Sequence, residues 1–138
     1  MKCINNFHKL NIHSLSFSVF CPVDDDEIVT SILENYISNY YDVTIFNCPV
    51  KALIHYSKDQ DYSVVLADIQ MPKLQGDEMI EEMLRINSKQ KFIISTVSMK
   101  PKIMKLADTY SDHIFISDKP FNLPKLKSLL EEIECSFD

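Results

Sequence analysis

The sequence predicts an α/β fold, a doubly wound, five-stranded parallel sheet with five helices. Short apolar runs typical of strands alternate five times with segments whose apolar residues recur at helical spacing. Two of these runs, residues 62–67 and 92–97, are almost continuously apolar, as expected for parallel strands covered on both faces. The chain has 138 residues, of which 46% are hydrophobic and 25% charged, so a single globular domain is expected.

The first half of the chain supplies a strand, a helix, a strand, a helix and a strand, at residues 17–23, 26–40, 43–46, 49–56 and 62–67. Apolar side chains recur at helical spacing in the first helix: Ile28, Val29, Ile32, Leu33, Tyr36 and Ile37. Either Asp25 or Asp26 can cap that helix, and Pro49 can occupy the first turn of the next one.

The second half continues the alternation with a helix, a strand, a helix, a strand and a last helix, at residues 77–87, 92–97, 101–108, 113–117 and from about 123 to 135. The first of these helices carries one apolar face: Met79, Ile80, Met83 and Leu84. Pro101 can open the middle helix and Asn122 can cap the last. The last helix is expected to turn four residues inward: Leu126, Leu129, Leu130 and Ile133.

Composition excludes several classes of function. The formal net charge is −6, which argues against a general nucleic-acid binder because such proteins need a basic face. Gly76 is the single glycine of the chain, so neither a dinucleotide-binding fingerprint nor a phosphate-binding P-loop can form. No apolar run approaches the 18 residues or so of a membrane span. The four cysteines are scattered and are expected to be reduced thiols.

Polar residues follow four of the five predicted strands. Asp24 and Asp25 come after the first strand, and Asp68 comes after the third. Thr96 ends the fourth strand and Lys119 follows the fifth. Ligands of open parallel sheets bind outside the carboxyl ends of the strands, so these side chains are expected to converge there.

Converging carboxylates repel one another, and a hard divalent cation such as Mg²⁺ relieves that repulsion through oxygen ligands. The Lys119 ammonium and the Thr96 hydroxyl could then bind oxygens of a phosphoryl group, and an aspartate could act as the nucleophile. Each residue alone also has an ordinary structural explanation. An acidic run usually starts a solvated helix, a single aspartate usually belongs to a turn, and Lys119 could be a surface residue. Their joint placement favours a site.

Four stretches of the sequence carry a resemblance to a known family. Residues 65–76, Val-Leu-Ala-Asp-Ile-Gln-Met-Pro-Lys-Leu-Gln-Gly, contain an Asp, Met-Pro and Gly in a fixed order. The other stretches are the acidic cluster 23–26, the Ile-Ile-Ser-Thr of residues 93–96, and Lys119-Pro120-Phe121. Over about residues 16–133 the chain resembles the receiver domain of bacterial response regulators, in particular single-domain regulators of the chemotaxis type.

The resemblance implies a role for each of these residues. Asp68 would be the phosphoacceptor, with Thr96 as the switch hydroxyl and Lys119 as the lysine that pairs with the phosphate. Mg²⁺ would be bound by Asp24, Asp25, Asp68 and the backbone carbonyl of Gln70. The fold would be flavodoxin-like with strand order 2-1-3-4-5, and the receiver domain would span residues 15–138 after an N-terminal extension at 1–14.

The sequence departs from the family pattern at several positions. Val97 stands where a small residue usually follows the switch Thr, which could slow phosphoryl entry or hydrolysis. The aromatic residue usual three positions before the lysine is replaced by Ile116. Either the strand has an extra residue, which would let Phe115 fill that place, or the aromatic residue is absent. Ser111-Asp112 also replaces the usual Gly-Ala pair.

The expected function is a phosphorylation switch. A histidine kinase or phosphotransfer protein would phosphorylate Asp68, and the domain, a cytoplasmic monomer or weak dimer, would signal by binding a partner protein rather than nucleic acid or membrane. It would not be an enzyme beyond its own Mg²⁺-dependent phosphorylation and slow dephosphorylation. An alternative is a receiver-like interaction module that is not phosphorylated. A Mg²⁺-dependent phosphatase fits poorly, because such enzymes usually place an acid where Gln70 stands.

Overall fold

The structure is a computed structural model that describes residues 19–135. Its five strands are β1 (Val19–Val23), β2 (Asp42–Val43), β3 (Val64–Asp68), β4 (Lys91–Thr96) and β5 (Ile114–Asp118). Its five helices are α1 (Glu27–Ile37), α2 (Pro49–Lys58), α3 (Gly76–Ile86), α4 (Pro101–Thr109) and α5 (Leu123–Cys135). The proposed extension at residues 1–14 lies outside the described residues, so the domain boundaries stay a prediction.

The strands form one parallel sheet in the order β2-β1-β3-β4-β5, which confirms the predicted fold and strand order. The order changes direction between β1 and β3, and Val23 of β1 lies opposite Ala67 of β3 there. The carboxyl ends of the strands therefore place Asp24 and Asp68 on neighbouring strands at the same edge of the sheet.

The helices begin where the sequence provides a cap or a proline. The side chain of Asp26 accepts a hydrogen bond of 2.9 Å from the Ile28 N–H and so caps α1. Pro49 and Pro101 occupy the first turns of α2 and α4. Asn122 Oδ1 accepts a 3.1 Å hydrogen bond from the Lys125 N–H at the start of α5.

Two apolar cores lie on the two faces of the sheet. Helices α2, α3 and α4 cover one face, where Tyr56, Met79 and Phe92 are fully buried. Helices α1 and α5 cover the other, around Leu33 and Leu126. Because every strand except the edge strands is packed on both faces, β3 and β4 are almost completely buried, as their apolar runs predict.

The apolar residues that recur at helical spacing in α1 are not all buried. Ile28 is 71% and Ile32 49% exposed, whereas Thr30 is fully buried. Six apolar positions cover more of the helix circumference than one contact with a sheet can bury. Thr30 is tolerated inside because its hydroxyl donates to the Glu27 carbonyl and receives a hydrogen bond from Asn47.

The remaining differences are small. The edge strand β2 is shorter than predicted, although Phe46 still forms a bridge with Val23. Cys21 and Cys48 are free thiols as expected, but Cys135 is disulfide-bonded, so the expectation of four reduced cysteines is wrong. Within residues 19–135, none of the helices has the length and hydropathy needed to cross a membrane.

Candidate functional site

Three aspartates meet at the carboxyl edge of the sheet. Asp24 and Asp25 follow β1, and Asp68 is the last residue of β3. Each of the three offers a carboxylate oxygen, and these oxygens lie within 4.8 Å of one another. Asp24 is 1% and Asp68 9% exposed, whereas Asp25 faces solvent. The sequence prediction that these strand ends converge is therefore confirmed in space.

The cluster has the chemistry of a divalent-cation site. Its donors are all carboxylate oxygens, the ligands that Mg²⁺ prefers, and one of them is open to solvent, which leaves room for waters. Two buried carboxylates this close also need a positive charge to be stable together. The residues present therefore fit Mg²⁺. Gln70, two residues after Asp68, lies on the exposed loop, and its carbonyl as a further ligand stays a prediction.

Asp24 is almost completely buried close to other charged groups. Burial raises the pKa of its carboxyl group above the usual 3.8, the nearby charge of Asp68 raises it further, and the ammonium of Lys119 opposes the rise. A hydrogen bond of 2.9 Å from the Asp26 N–H to Asp24 Oδ1 also favours the ionised form. A cation beside Asp24 would offset its lost hydration.

Lys119 supplies the positive charge of the site. Its Nζ lies 3.0 Å from Asp68 Oδ1 and 3.5 Å from Asp24 Oδ2. Partial burial lowers the pKa of this lysine, but its hydrogen bond to Asp68 and the charges of both aspartates outweigh burial and leave the pKa raised. The peptide bond from Lys119 to Pro120 is cis. With its pKa raised, the ammonium stays protonated and lies against Asp68.

Thr96 ends β4 at the same edge, but its hydroxyl is bound within its own loop. Thr96 Oγ1 donates a hydrogen bond of 2.8 Å to the Ser98 carbonyl and accepts one of 3.3 Å from the Ser98 N–H. The Thr96 carbonyl accepts a hydrogen bond from the Lys119 N–H at 3.2 Å. The hydroxyl would have to leave Ser98 before it could bind a phosphoryl oxygen on Asp68.

The loop after Asp68 is closed by the single glycine. The Gly76 N–H donates to the Ile69 carbonyl at 2.9 Å, and a Cβ at position 76 would overlap the backbone carbonyl oxygen of Asp68. Lys73 adopts a left-handed backbone conformation with φ of 73° on the way. The glycine is therefore required by close packing against Asp68.

The structure decides which residue occupies the position, three before Lys119, where the family usually has an aromatic residue. The pairing of β4 with β5 runs without interruption, with Ile94 opposite Ile116 and Thr96 opposite Asp118. Ile116 packs on the side of the sheet covered by α2, α3 and α4, whereas Phe115 packs on the other side. There is no extra residue in this strand, so Ile116 fills the position and an aromatic side chain is absent from it.

Sequence reasoning missed two contacts around the site. Asn47 donates one hydrogen bond of 2.8 Å to the Asp24 carbonyl and another of 2.8 Å to the Thr30 hydroxyl, which fixes the backbone of the acidic loop. Lys102 forms an ion pair of 2.9 Å with the buried Asp77. An asparagine after an edge strand is a weak signal, and no local pattern connects residues 77 and 102.

Comparisons with known proteins identify the family and the fold of the chain. Residues 20–131 match the family model of the response regulator receiver domain. The Vibrio cholerae chemotaxis protein CheY4 is 18% identical with a TM-score of 0.75, and the alignment covers 85% of this chain and 98% of that one. A CheY-like receiver domain protein from Methanospirillum hungatei is 20% identical, with a TM-score of 0.75 and coverages of 86% and 95%.

A third similar structure, described as an adenylate cyclase from Rhodopirellula baltica, is 21% identical with a TM-score of 0.77, over 86% of this chain and 89% of that chain. At these identities the three structures establish a shared fold. The family itself rests on the match over residues 20–131.

Proposed function

The chain belongs to the response regulator receiver domain family, and on that premise we propose that Asp68 accepts a phosphoryl group from a histidine kinase or phosphotransfer protein. The phosphorylated domain then signals by binding a partner protein. The observation that carries the proposal is the position of Asp68. Its carboxylate lies within 4.8 Å of the carboxylates of Asp24 and Asp25 and 3.0 Å from Lys119 Nζ.

The proposed reaction is a transfer between two side chains. A carboxylate oxygen of Asp68 attacks the phosphorus, the new P–O bond forms, and the P–N bond to the donor histidine breaks. Asp24, Asp25 and Asp68 would hold Mg²⁺, which would supply positive charge for the phosphoryl oxygens. Lys119 pairs with one of these oxygens, because its ammonium already lies against Asp68. On this proposal the chemistry of the domain is limited to its own phosphorylation and the slow loss of the phosphate.

The proposed switch is an exchange of hydrogen bonds at Thr96. Phosphorylation turns one negative charge on Asp68 into roughly two and adds acceptor oxygens. The Thr96 hydroxyl then leaves the Ser98 carbonyl for a phosphoryl oxygen, and the loop 97–100 moves with it. A nearly complete shift of population needs about 5 kcal/mol of differential stabilisation, which a few charge-assisted hydrogen bonds can supply. The change is read out on the face formed by α4, β5 and α5.

An apolar groove beside the site is suited to the phosphodonor. It has a volume of about 520 Å³ and is lined by α1 and the loop that follows β5, including Val29, Ile32, Pro120 and Phe121. Lys119 lines the same groove, so a helix docked there would place a donor side chain near Asp68. Docking of an amphipathic helix in an apolar groove is a common mode of recognition, and such a helix would cover the half-exposed Ile32.

We place the domain in the cytoplasm, where histidine kinases phosphorylate their partners. The free Cys21 and Cys48 are consistent with a reducing compartment. The disulfide at Cys135 is unusual there. Intact mass after alkylation of cell extracts, with and without prior reduction, would show whether that bond forms in the cell.

Intact mass spectrometry tests phosphorylation. Incubation with Mg²⁺ and acetyl phosphate should add one phosphoryl group to the wild-type protein and none to Asp68→Asn. Asp108→Asn removes a carboxylate from the exposed surface of α4 and should be phosphorylated normally. If the wild type gains no phosphate while a control receiver domain reacts, the proposal is wrong. The alternative of an unphosphorylated interaction module, which Ile116 and Val97 favour, would then stand.

A further inference from the structure

Helices α3 and α4 are connected at their first turns by one ion pair. Asp77 is the second residue of α3 and Lys102 the second residue of α4, and Lys102 Nζ lies 2.9 Å from Asp77 Oδ2. The Asp77 side chain is 3% exposed, whereas that of Lys102 is 65% exposed. The other oxygen, Asp77 Oδ1, is buried and has no hydrogen-bond partner within the described structure. The lysine is thus the group that compensates a buried charge.

The two charges differ in how well each suits the N-terminus of its helix. Asp77 is favoured at the N-terminus of its helix, but Lys102 is disfavoured at the N-terminus of α4 because the helix dipole is positive there. The hydrogen bond and charge of Asp77 raise the pKa of the Lys102 ammonium, which therefore stays protonated. A buried carboxylate that loses its partner is strongly unfavourable. The pair therefore favours the position of α4 in which Lys102 reaches Asp77.

A cleft lies between the two helices beside the ion pair, although Ile103 and Leu106 of α4 are buried in the core. The cleft has a volume of about 300 Å³, with Asp77 and Lys102 at its wall and Leu106 and Tyr110 farther along α4. Where helices are separated by a cleft rather than by interlocked side chains, a single polar contact has a larger share in setting their spacing.

Both ends of the ion pair lead directly to the phosphorylation site. Asp77 follows Gly76, whose backbone packs against the Asp68 carbonyl. Lys102 lies just after the loop 97–100, which begins directly after Thr96 and contains the Ser98 carbonyl that binds its hydroxyl. The ion pair between Asp77 and Lys102 thus links α3, the helix that follows Asp68, to α4, the helix that follows Thr96.

We propose that Asp77 and Lys102 are a positioning pair that holds the first turn of α4, and with it the loop 97–100, in the arrangement that binds the Thr96 hydroxyl to Ser98. The pair stabilises the resting state and thereby slows phosphorylation of Asp68 and limits the population of the activated state. Its effect on phosphorylation rests on the proposed function, whereas its effect on α4 does not.

Three substitutions distinguish the effect of losing the ion pair from the effect of losing any positive charge on α4. Lys102→Met removes the ammonium and keeps the apolar stem, Lys102→Arg keeps a cation in reach of Asp77, and Lys105→Met removes a neighbouring charge of α4 that forms no ion pair within residues 19–135. In the absence of Mg²⁺ and phosphodonor, we expect amide hydrogen exchange over residues 97–104 to be about tenfold faster in Lys102→Met than in the wild type. Lys102→Arg and Lys105→Met should exchange like the wild type.

The same proteins are then phosphorylated with acetyl phosphate and Mg²⁺. Lys102→Met should react several times faster than the wild type. The single variant Asp77→Asn and the double variant Asp77→Asn, Lys102→Met are measured in the same way. The effect of the double variant should differ from the sum of the two single effects, because the two residues act through one contact. Equal exchange in Lys102→Met and Lys105→Met, an unchanged or slower reaction, or additive effects would overturn the proposal. If the wild type is not phosphorylated at all, the proposed function fails, and hydrogen exchange alone decides whether the pair positions α4.

Discussion

Gly76→Ala provides the sharpest test of how the loop between Asp68 and α3 is packed. Alanine is intrinsically better than glycine in a helix by about 1 kcal/mol, and Gly76 has no positive φ that would strain an alanine. From secondary structure alone the change at this first residue of α3 should therefore stabilise the protein. The added Cβ would, however, overlap the carbonyl oxygen of Asp68, which is a backbone atom and cannot rotate away.

The cost of the overlap and the gain in helix propensity together decide whether Gly76→Ala destabilises the protein. Overpacking of a tightly packed interior costs typically about 1–3 kcal/mol, and here the overlap is with the last residue of β3, a strand buried between two neighbours. Because the overlap is severe and involves a backbone atom, the cost lies in the upper part of that range, about 2–3 kcal/mol. Subtracting the gain of about 1 kcal/mol in helix propensity leaves a net loss of about 1–2 kcal/mol. For a chain of this length that corresponds to a fall in Tm of about 4–8 °C.

Thermal unfolding and urea titration of the metal-free protein measure this loss. Glu81→Ala, an exposed substitution in the same helix, is the matched control and should change stability by less than about 0.5 kcal/mol. Because the overlap would displace Asp68, Mg²⁺ should also stabilise Gly76→Ala less than it stabilises the wild type. A variant as stable as the wild type or more so would refute the close approach of residue 76 to Asp68.

Other predictions follow from the site and the core. Asp25→Asn should lower the Mg²⁺ affinity about tenfold, measured by calorimetry, because it removes a charged ligand from the cluster; an unchanged affinity would exclude Asp25 as a ligand. Burial raises the pKa of Asp24, so its proton should compete with Mg²⁺ above the pH range of an ordinary aspartate, and the affinity should fall on acidification through that raised pKa. Because the pKa of Asp24 is higher in the folded than in the unfolded state, protonation of Asp24 favours the folded state at low pH. The free energy of unfolding of the metal-free protein should therefore lose this contribution as pH rises through the raised pKa. Tyr56→Phe removes the buried 2.7 Å hydrogen bond to Gln90 Oε1 and should cost about 1–2 kcal/mol in urea unfolding, a loss that no surface Tyr→Phe change should match. Val97→Ala should speed the loss of phosphate severalfold, followed by intact mass over time; equal lifetimes would show that Val97 does not shield the acceptor.

Much of the fold could be predicted because its determinants are local. Apolar runs, helical spacing and capping residues such as Asp26 and Asn122 depend on neighbours in the chain, and these elements lie within a few residues of their predicted positions. The local pattern did not determine which side chains of a helix are buried, because that depends on what the helix packs against. Thr30 is buried and Ile28 is exposed because the contact surface of the sheet, rather than the apolar count of α1, determines which side chains are covered.

The sequence likewise predicted one part of the candidate site, and the tertiary structure decided the rest. The sequence by itself determined which polar residues follow strands, and parallel pairing then required Asp24, Asp68, Thr96 and Lys119 to share one edge. Only the tertiary structure decided that Lys119 lies against Asp68, that the Thr96 hydroxyl is bound to Ser98, and that Ile116 occupies the place of an aromatic residue. It also joined Asp77 to Lys102 across a cleft. The physical reason is the separation of the interacting residues along the chain. The edge of the sheet at which the polar residues lie follows from local patterns, whereas distances, burial and ion pairs depend on how separate elements pack.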